Sequence, residues 1–168
     1  MKKKLLIVII TVLIIITIIA VVFVTYFKDD YSNVNLNTSD IMNDISENLG
    51  NDMPPMMLLE DEQVKDTYDI DVSKLDSYVI KIPIMNIRAD EIAIIKVKNI
   101  KDIEYVKNKL KVRLANIENI FEGYLQDQYE LAKNPLIITR GKYILMSISD
   151  KNDEIESTFT SYFDDNKN

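Results

Sequence analysis

The 168-residue chain has no cysteine, no histidine and no tryptophan, and it has only three glycines and four prolines. Without cysteine there is no disulfide, thiol nucleophile, thiolate metal site or lipid acceptor, and cysteine usage says nothing of the redox compartment. Without histidine the commonest general base is missing, and so is the commonest ligand for zinc, copper or iron. The usual serine and cysteine triads are therefore excluded. Gly50, Gly123 and Gly141 stand too far apart to build a Walker loop or a dinucleotide fingerprint. No S-x-x-K occurs, which removes the serine–lysine arrangement. These gaps predict a chain with no cofactor and no metal.

The formal net charge is -7, and Lys2, Lys3 and Lys4 account for three of the 20 basic residues. The remainder holds 17 basic against 27 acidic residues, a balance of -10. Nucleic-acid binding needs a basic footprint, so a nucleic-acid partner is not expected. An acidic domain is also repelled by an anionic lipid surface.

Leu5 to Phe27 is a run of 23 residues without a charge. As a helix it would cover about 35 Å, enough for a hydrocarbon core of about 30 Å. The three preceding lysines predict an N-terminus in the cytoplasm and the rest outside. A cleaved signal peptide is the rival reading, disfavoured by the length of the run and the lack of an A-x-A-like site. The expected organisation is a cytoplasmic N-terminus (1–4), a transmembrane anchor (5–27), a polar linker (28–38), an extracytoplasmic domain (39–165) and a frayed tail (166–168).

The domain is organised around Ser77 to Lys98. In its first half Tyr78, Ile80, Ile82 and Ile84 alternate with Val79, Lys81 and Pro83, the period of a β-strand. In its second half Ala93, Ile95 and Val97 share a face, and Ile92 and Ile94 make the strand apolar on both sides, as suits a central position. Asn86 to Asp90 is the polar turn between them. Pro83 predicts an edge strand or a bulge. Ahead of this hairpin, Ile41, Ile45 and Leu49 predict a short helix stopped by Gly50, Met56 to Leu59 reads as an added strand, and Asp61 to Tyr68 as a helical turn or two.

Behind the hairpin, Asn99 is the expected cap of the longest helix. Its stripe is Ile103, Val106, Leu110, Leu114, Ile117 and Phe121. Gly123 should interrupt it, with a second piece over Leu125 to Lys133 ended by Asn134-Pro135. Leu136–Thr139 and Tyr143–Ser149 form a second hairpin, and Ile155, Phe159, Tyr162 and Phe163 stripe a last helix beginning near Asp150. Two hairpin-then-helix units predict an α+β domain: about four antiparallel strands with helices packed on one face.

The run from Met56 through Tyr68-Asp69-Ile70, VIKIPIMNIRADEIAIIKVK, FEGYLQDQYELAKN and RGKYILMSIS resembles a bacterial family of unknown function. Its members are small extracytoplasmic proteins of Gram-positive bacteria held to the membrane by a lipid or an N-terminal helix. The resemblance covers Ser39 to Phe163, with Arg88-Ala89-Asp90-Glu91 and Phe121-Glu122-Gly123-Tyr124 its most specific segments. It implies a location and a fold and brings no catalytic residues. The chain departs from the lipid-anchored pattern in having no cysteine.

Carboxylates remain as the catalytic option. Asp90 and Glu91 would face opposite sides of a strand, and Glu118 and Glu122 share a helix face that is ordinarily solvated. Glu60-Asp61-Glu62 could offer oxygen ligands to calcium but lacks EF-hand spacing, and a surface charge run is the better reading. Arg88, Asp90 and Glu91 could form a polar recognition site, or only turn chemistry and an ion pair. Tyr68, Tyr124, Tyr129 and Tyr143 could line a carbohydrate or peptide groove, or pack at the edges of the core. Arg113 falls beside the apolar stripe of the long helix, where a solvated charge is out of place. It should meet a carboxylate, Glu91 before Asp90, or snorkel to water.

The expected function is a membrane-anchored extracytoplasmic binding or accessory module without catalysis. Its partners would be the membrane through Leu5 to Phe27 and a protein or cell-envelope component. The alternative is a cell-envelope hydrolase using Asp and Glu as acid and base. A cytoplasmic regulator would need the topology opposite to the one the lysines indicate.

Overall fold

The computed structural model describes residues 13–17, 31 and 34–164. The chain divides into two compact units, Met1–Asp30 and Tyr31–Asn168. Of the first unit only residues 13–17 are described, and they are helical with exposed side chains. Among the described residues no helix is long and apolar enough to cross a membrane. The expected N-terminal transmembrane helix is therefore not part of the observed fold. Residues 5–12 and 18–27 of that run, the segment 1–4 expected in the cytoplasm and the tail 166–168 lie outside the described residues.

The second unit is built on five antiparallel strands in the order β1-β2-β3-β5-β4. They are β1 (Met56–Leu58), β2 (Leu75–Pro83), β3 (Glu91–Val97), β4 (Leu136–Arg140) and β5 (Tyr143–Ile148). Its α-helices are α1 (Thr38–Leu49), α2 (Asp61–Tyr68), α3 (Ile103–Phe121), α4 (Gln126–Ala132) and α5 (Asn152–Asp164). The domain is α+β, but two parts of the expected architecture need correction. The expected count of about four strands becomes five, because the stretch Met56–Leu59, expected as an added strand, does pair, as β1, with Met57 opposite Ile82 at the edge of the first hairpin. The helices cover both faces of the sheet, not one.

The second face follows from the period-2 alternation of the central strands. Ala93, Ile95 and Val97 of β3, with Ile144 and Met146 of β5, join a core completed by α2, α3 and α4. Ile92, Ile94 and Leu145 point the other way and pack against Ile41 and Ile45 of α1 and Phe159 and Phe163 of α5. A strand apolar on both sides needs a layer on each. Tyr31 is buried in this second core, and Val34 and Leu36 pack against it, so part of the stretch expected to be a linker belongs to the domain.

Local signals set several boundaries. The Asn37 side chain caps α1 by accepting from the Ser39 N–H at 2.8 Å. Asn99 makes no side-chain cap; a 3-10 turn over Ile100–Asp102 intervenes, and α3 starts at Ile103. Pro83 is the last residue of β2, and the ladder to β3 ends two residues earlier at the Lys81–Ile92 pair, so its missing N–H interrupts nothing. The strand is internal, with its register shift between Leu75 and Ser77. The hairpin β4–β5 turns through Gly141 and Lys142, with positive φ at Gly141 alone of the two, the pattern of a type II′ turn.

At Gly141 the φ is +53°, and a Cβ there would sit 2.6 Å from the Tyr31 carbonyl oxygen. Gly123 also has positive φ, +72°, but faces open space. Gly141→Ala should therefore destabilise by more than the ~1–2 kcal/mol that a left-handed residue costs alone, and Gly123→Ala by about that amount. Urea denaturation of the two variants checks this; equal losses would show that the approach of Tyr31 adds nothing.

Candidate functional site

β3 begins with a charged residue inside the protein. Glu91 shares the face of Ala93 and Ile95, so its carboxylate points into the layer formed by α2 and α3 and is almost fully buried. Leaving it there unpaired would be very costly. Arg113, on the third turn of α3, donates from Nη2 to Glu91 Oε2 at 2.6 Å and from Nε to Oε1 and Oε2 at 3.1 and 3.2 Å. Tyr68, at the end of α2, donates its hydroxyl to Glu91 Oε1. The Arg113 guanidinium also lies 5.6 Å from the Tyr68 ring centroid. Burial works against the Arg113 charge, and hydrogen bonding and attraction from Glu91 overcome it, so its pKa is raised.

Asp90, one residue earlier, serves a different partner. It is buried and accepts from Arg88 Nε at 2.8 Å within the β2–β3 loop. That loop is fixed from α4 as well: the Ala89 N–H donates to Gln128 Oε1 at 2.9 Å. The four residues Arg88, Asp90, Glu91 and Arg113 thus form two separate ion pairs, with both carboxylates buried and both guanidinium groups partly exposed.

Above the Glu91–Arg113 pair lies a cleft of about 370 Å³, between the end of β2, the β2–β3 loop and the last turns of α3. Its walls are mostly apolar, with Ile82, Ile117 and Phe121 inside and Met57, Ile84 and Ile120 at the rim. Ile84 is 62% exposed and Ile120 57%, and Met85 and Ile87 on the same loop are also exposed. Glu91 is the one carboxylate among the described residues lining the cleft.

The other sequence candidates do not converge here. Tyr68 and Tyr129 belong to the α2–α4 layer, whereas Tyr143 is buried on the opposite face, its hydroxyl bonded to the Leu36 backbone. Tyr124 is exposed, so the four tyrosines line no common groove. Glu122 is exposed and Glu118 half-buried. Glu60 and Gln63 form a capping box on α2, and Asp61 accepts from the Tyr78 hydroxyl. Among the described residues no cluster could hold a metal ion. The roles of Tyr68 and Gln128 escaped sequence reasoning, because their partners lie 23 and 39 residues away and have no spacing signal.

Breaking a buried pair strands a charge, so Arg113→Met alone should cost about 3–5 kcal/mol, and Arg113→Met with Glu91→Gln less than the sum. Additive losses in the denaturation cycle would show that the two side chains are not coupled. The tyrosines add a pH dependence. Burial first, and Glu91 second, push the Tyr68 hydroxyl well above its ordinary 10.0. Burial and the Asp61 carboxylate push Tyr78 up to about 12. A raised folded pKa means stability that is complete below the unfolded value near 10 and is lost as pH rises through the folded one. Denaturation free energy should fall above about pH 10, with a shallower slope in Tyr68→Phe. Equal slopes would show that Tyr68 contributes nothing to it.

No curated protein and no solved structure matches the chain. A family model, Domain of unknown function (DUF4358), matches residues 50–149. The match takes in the whole sheet, both ion pairs and the cleft, and it leaves out α1 and α5, which cover the second face. It spans more than half of the sequence, and the chain belongs to this family of domains of unknown function.

Proposed function

We propose that the domain is a binding module without catalytic activity and that the cleft beside Glu91 and Arg113 is where it binds. The observation that carries this reading is the rim: Met57, Ile84 and Ile120 stay in water around an apolar concavity, and Met85 and Ile87 are exposed on the adjoining loop. Such surface gains about 25 cal/mol for each Å² a partner covers. The cleft volume lies near the lower end of the range for ligand sites.

The hydrolase alternative draws less support. Acid–base cleavage of a glycoside needs two carboxyl groups facing one bond. The cleft supplies Glu91 alone, and that carboxylate is held by Arg113 and Tyr68. Asp90 is occupied by Arg88. We further propose that the module faces the outside of the cytoplasm, a placement resting on Lys2, Lys3 and Lys4 ahead of the uncharged run 5–27.

The absence of native cysteine permits a clean test. Ile120→Cys places a single thiol at the rim, and Ile100→Cys places one in the 3-10 turn ahead of α3, also exposed and at the far end from the cleft. A membrane-impermeant thiol-reactive photocrosslinker applied to intact cells should label both variants and give adducts from Ile120→Cys only. Adducts from both positions alike would remove the cleft as the binding site. Labelling of neither until the cells are lysed would overturn the placement.

A further inference from the structure

β1 is both the edge of the sheet and a wall of the cleft. Its bonds to β2 alternate: the Leu59 N–H donates to Ile80 O at 3.0 Å, and the Ile84 N–H to Pro55 O at 3.0 Å. With Met57 paired to Ile82, the bonded positions of the ladder are 55, 57 and 59. The N–H and C=O groups of Met56 and Leu58 therefore point away from β2, and among the described residues no strand lies beyond β1. Leu58 is 51% exposed, and among the described residues its N–H makes no backbone bond outside the strand ladder. The Met57 side chain, on the same strand, faces the cleft.

One residue past β1, beyond the buried Leu59, come Glu60, Asp61 and Glu62, all exposed and none in an ion pair among the described residues. The edge thus offers three features in line: main-chain donors and acceptors with no strand partner among the described residues, an apolar concavity that Met57 faces, and negative charge at one end. We infer that β1 receives an extended peptide segment of a partner protein as a sixth strand. The segment would place an apolar side chain opposite Met57 at the mouth of the cleft and carry lysine or arginine beside Glu60–Glu62. This rests on the binding-module reading above and adds the class of partner and the mode of recognition. A second copy of this chain is the poorer occupant, because outside its first four residues each copy carries a balance of -10.

The test uses the full-length chain and a labelled peptide of alternating leucine and threonine with two lysines at each end, followed by fluorescence anisotropy. Leu58→Pro deletes an outward N–H and no bond to β2. It should weaken binding at least tenfold, while Ile100→Asp leaves it unchanged. Glu62→Lys should weaken binding several-fold, and wild-type affinity should fall as salt is raised. Glu62 is exposed and makes neither the α2 cap nor the Tyr78 contact, so this variant reports even if Leu58→Pro lowers the melting temperature. The same peptide with glutamate for lysine should bind at least tenfold more weakly than the lysine form. Undiminished binding by Leu58→Pro and Glu62→Lys, with loss only in Ile120→Asp, would overturn strand addition and leave the cleft as a binding site of another kind. Failure of wild type to bind the peptide would also overturn it, and the crosslinks from Ile120→Cys would then judge the binding-module reading separately.

Discussion

The central strand β3 is buried on both of its faces, and the positions of the other elements follow from that constraint. Its backbone groups are met by β2 and β5, and its side chains need a layer above and a layer below. α2, α3 and α4 supply one layer, and α1, α5 and the stretch through Tyr31, Val34 and Leu36 supply the other. A charge introduced at the first residue of such a strand has no route to water along the sheet. Arg113 and Tyr68 therefore have to come to it, which ties α3 and α2 to the sheet at one point and fixes their angular placement more tightly than apolar contact alone would. Replacing a buried ion pair with apolar residues of similar size is often neutral or stabilising. The pair's geometry joins α3 to the first residue of β3, whatever its net contribution to stability.

The cleft arises where this packing runs out. Pairing of β2 with β3 stops at Lys81–Ile92, and the chain from Ile84 to Asp90 leaves the sheet before β3 begins. α3 ends at Phe121, so its last turn meets the departing loop across a gap. Gln128 from α4 and the Arg88–Asp90 pair hold the loop in place. A loop held by polar bonds can display Ile84, Met85 and Ile87 to solvent without those residues folding back onto the core.

Much of this was legible in the residues, and the failures have particular causes. The alternation in Tyr78–Ile82 and the double-sided run Ile92–Ile95 marked the hairpin and the central place of its second strand. The 3.6-residue stripe from Ile103 to Phe121 marked α3, and the position of Arg113 beside that stripe pointed to Glu91. The two-sided arrangement of helices was not read, although Ile92 and Ile94 implied it: a helix stripe shows that a face is buried, not which side of the sheet buries it. Ile84 continued the alternation of β2 on paper. It lies past Pro83, where the strand has ended, and there it faces water. Tyr31 was hidden among polar neighbours, because a single aromatic in KDDYSNVNLNT carries no period.

The charge of the domain and the chemistry of its cleft act over different distances. The balance of -10 outside the first four residues is felt over a Debye length of about 8–10 Å and governs which partners approach and how fast. At the cleft itself the two ion pairs cancel, so a bound group there meets an apolar wall with partly exposed guanidinium groups and no free carboxylate among the described residues lining it. A partner selected by both fields would be basic on its flanks and uncharged where it enters the cleft. Uniformly basic segments would be drawn in and then fail to desolvate, because a lysine placed against Ile117 and Phe121 finds no unpaired carboxylate to meet it. Uniformly apolar segments would fit the cleft but gain nothing from the field on approach. Discrimination would therefore lie in the alternation of the two, the same period of two that places Met57 toward the cleft and Leu58 away from it.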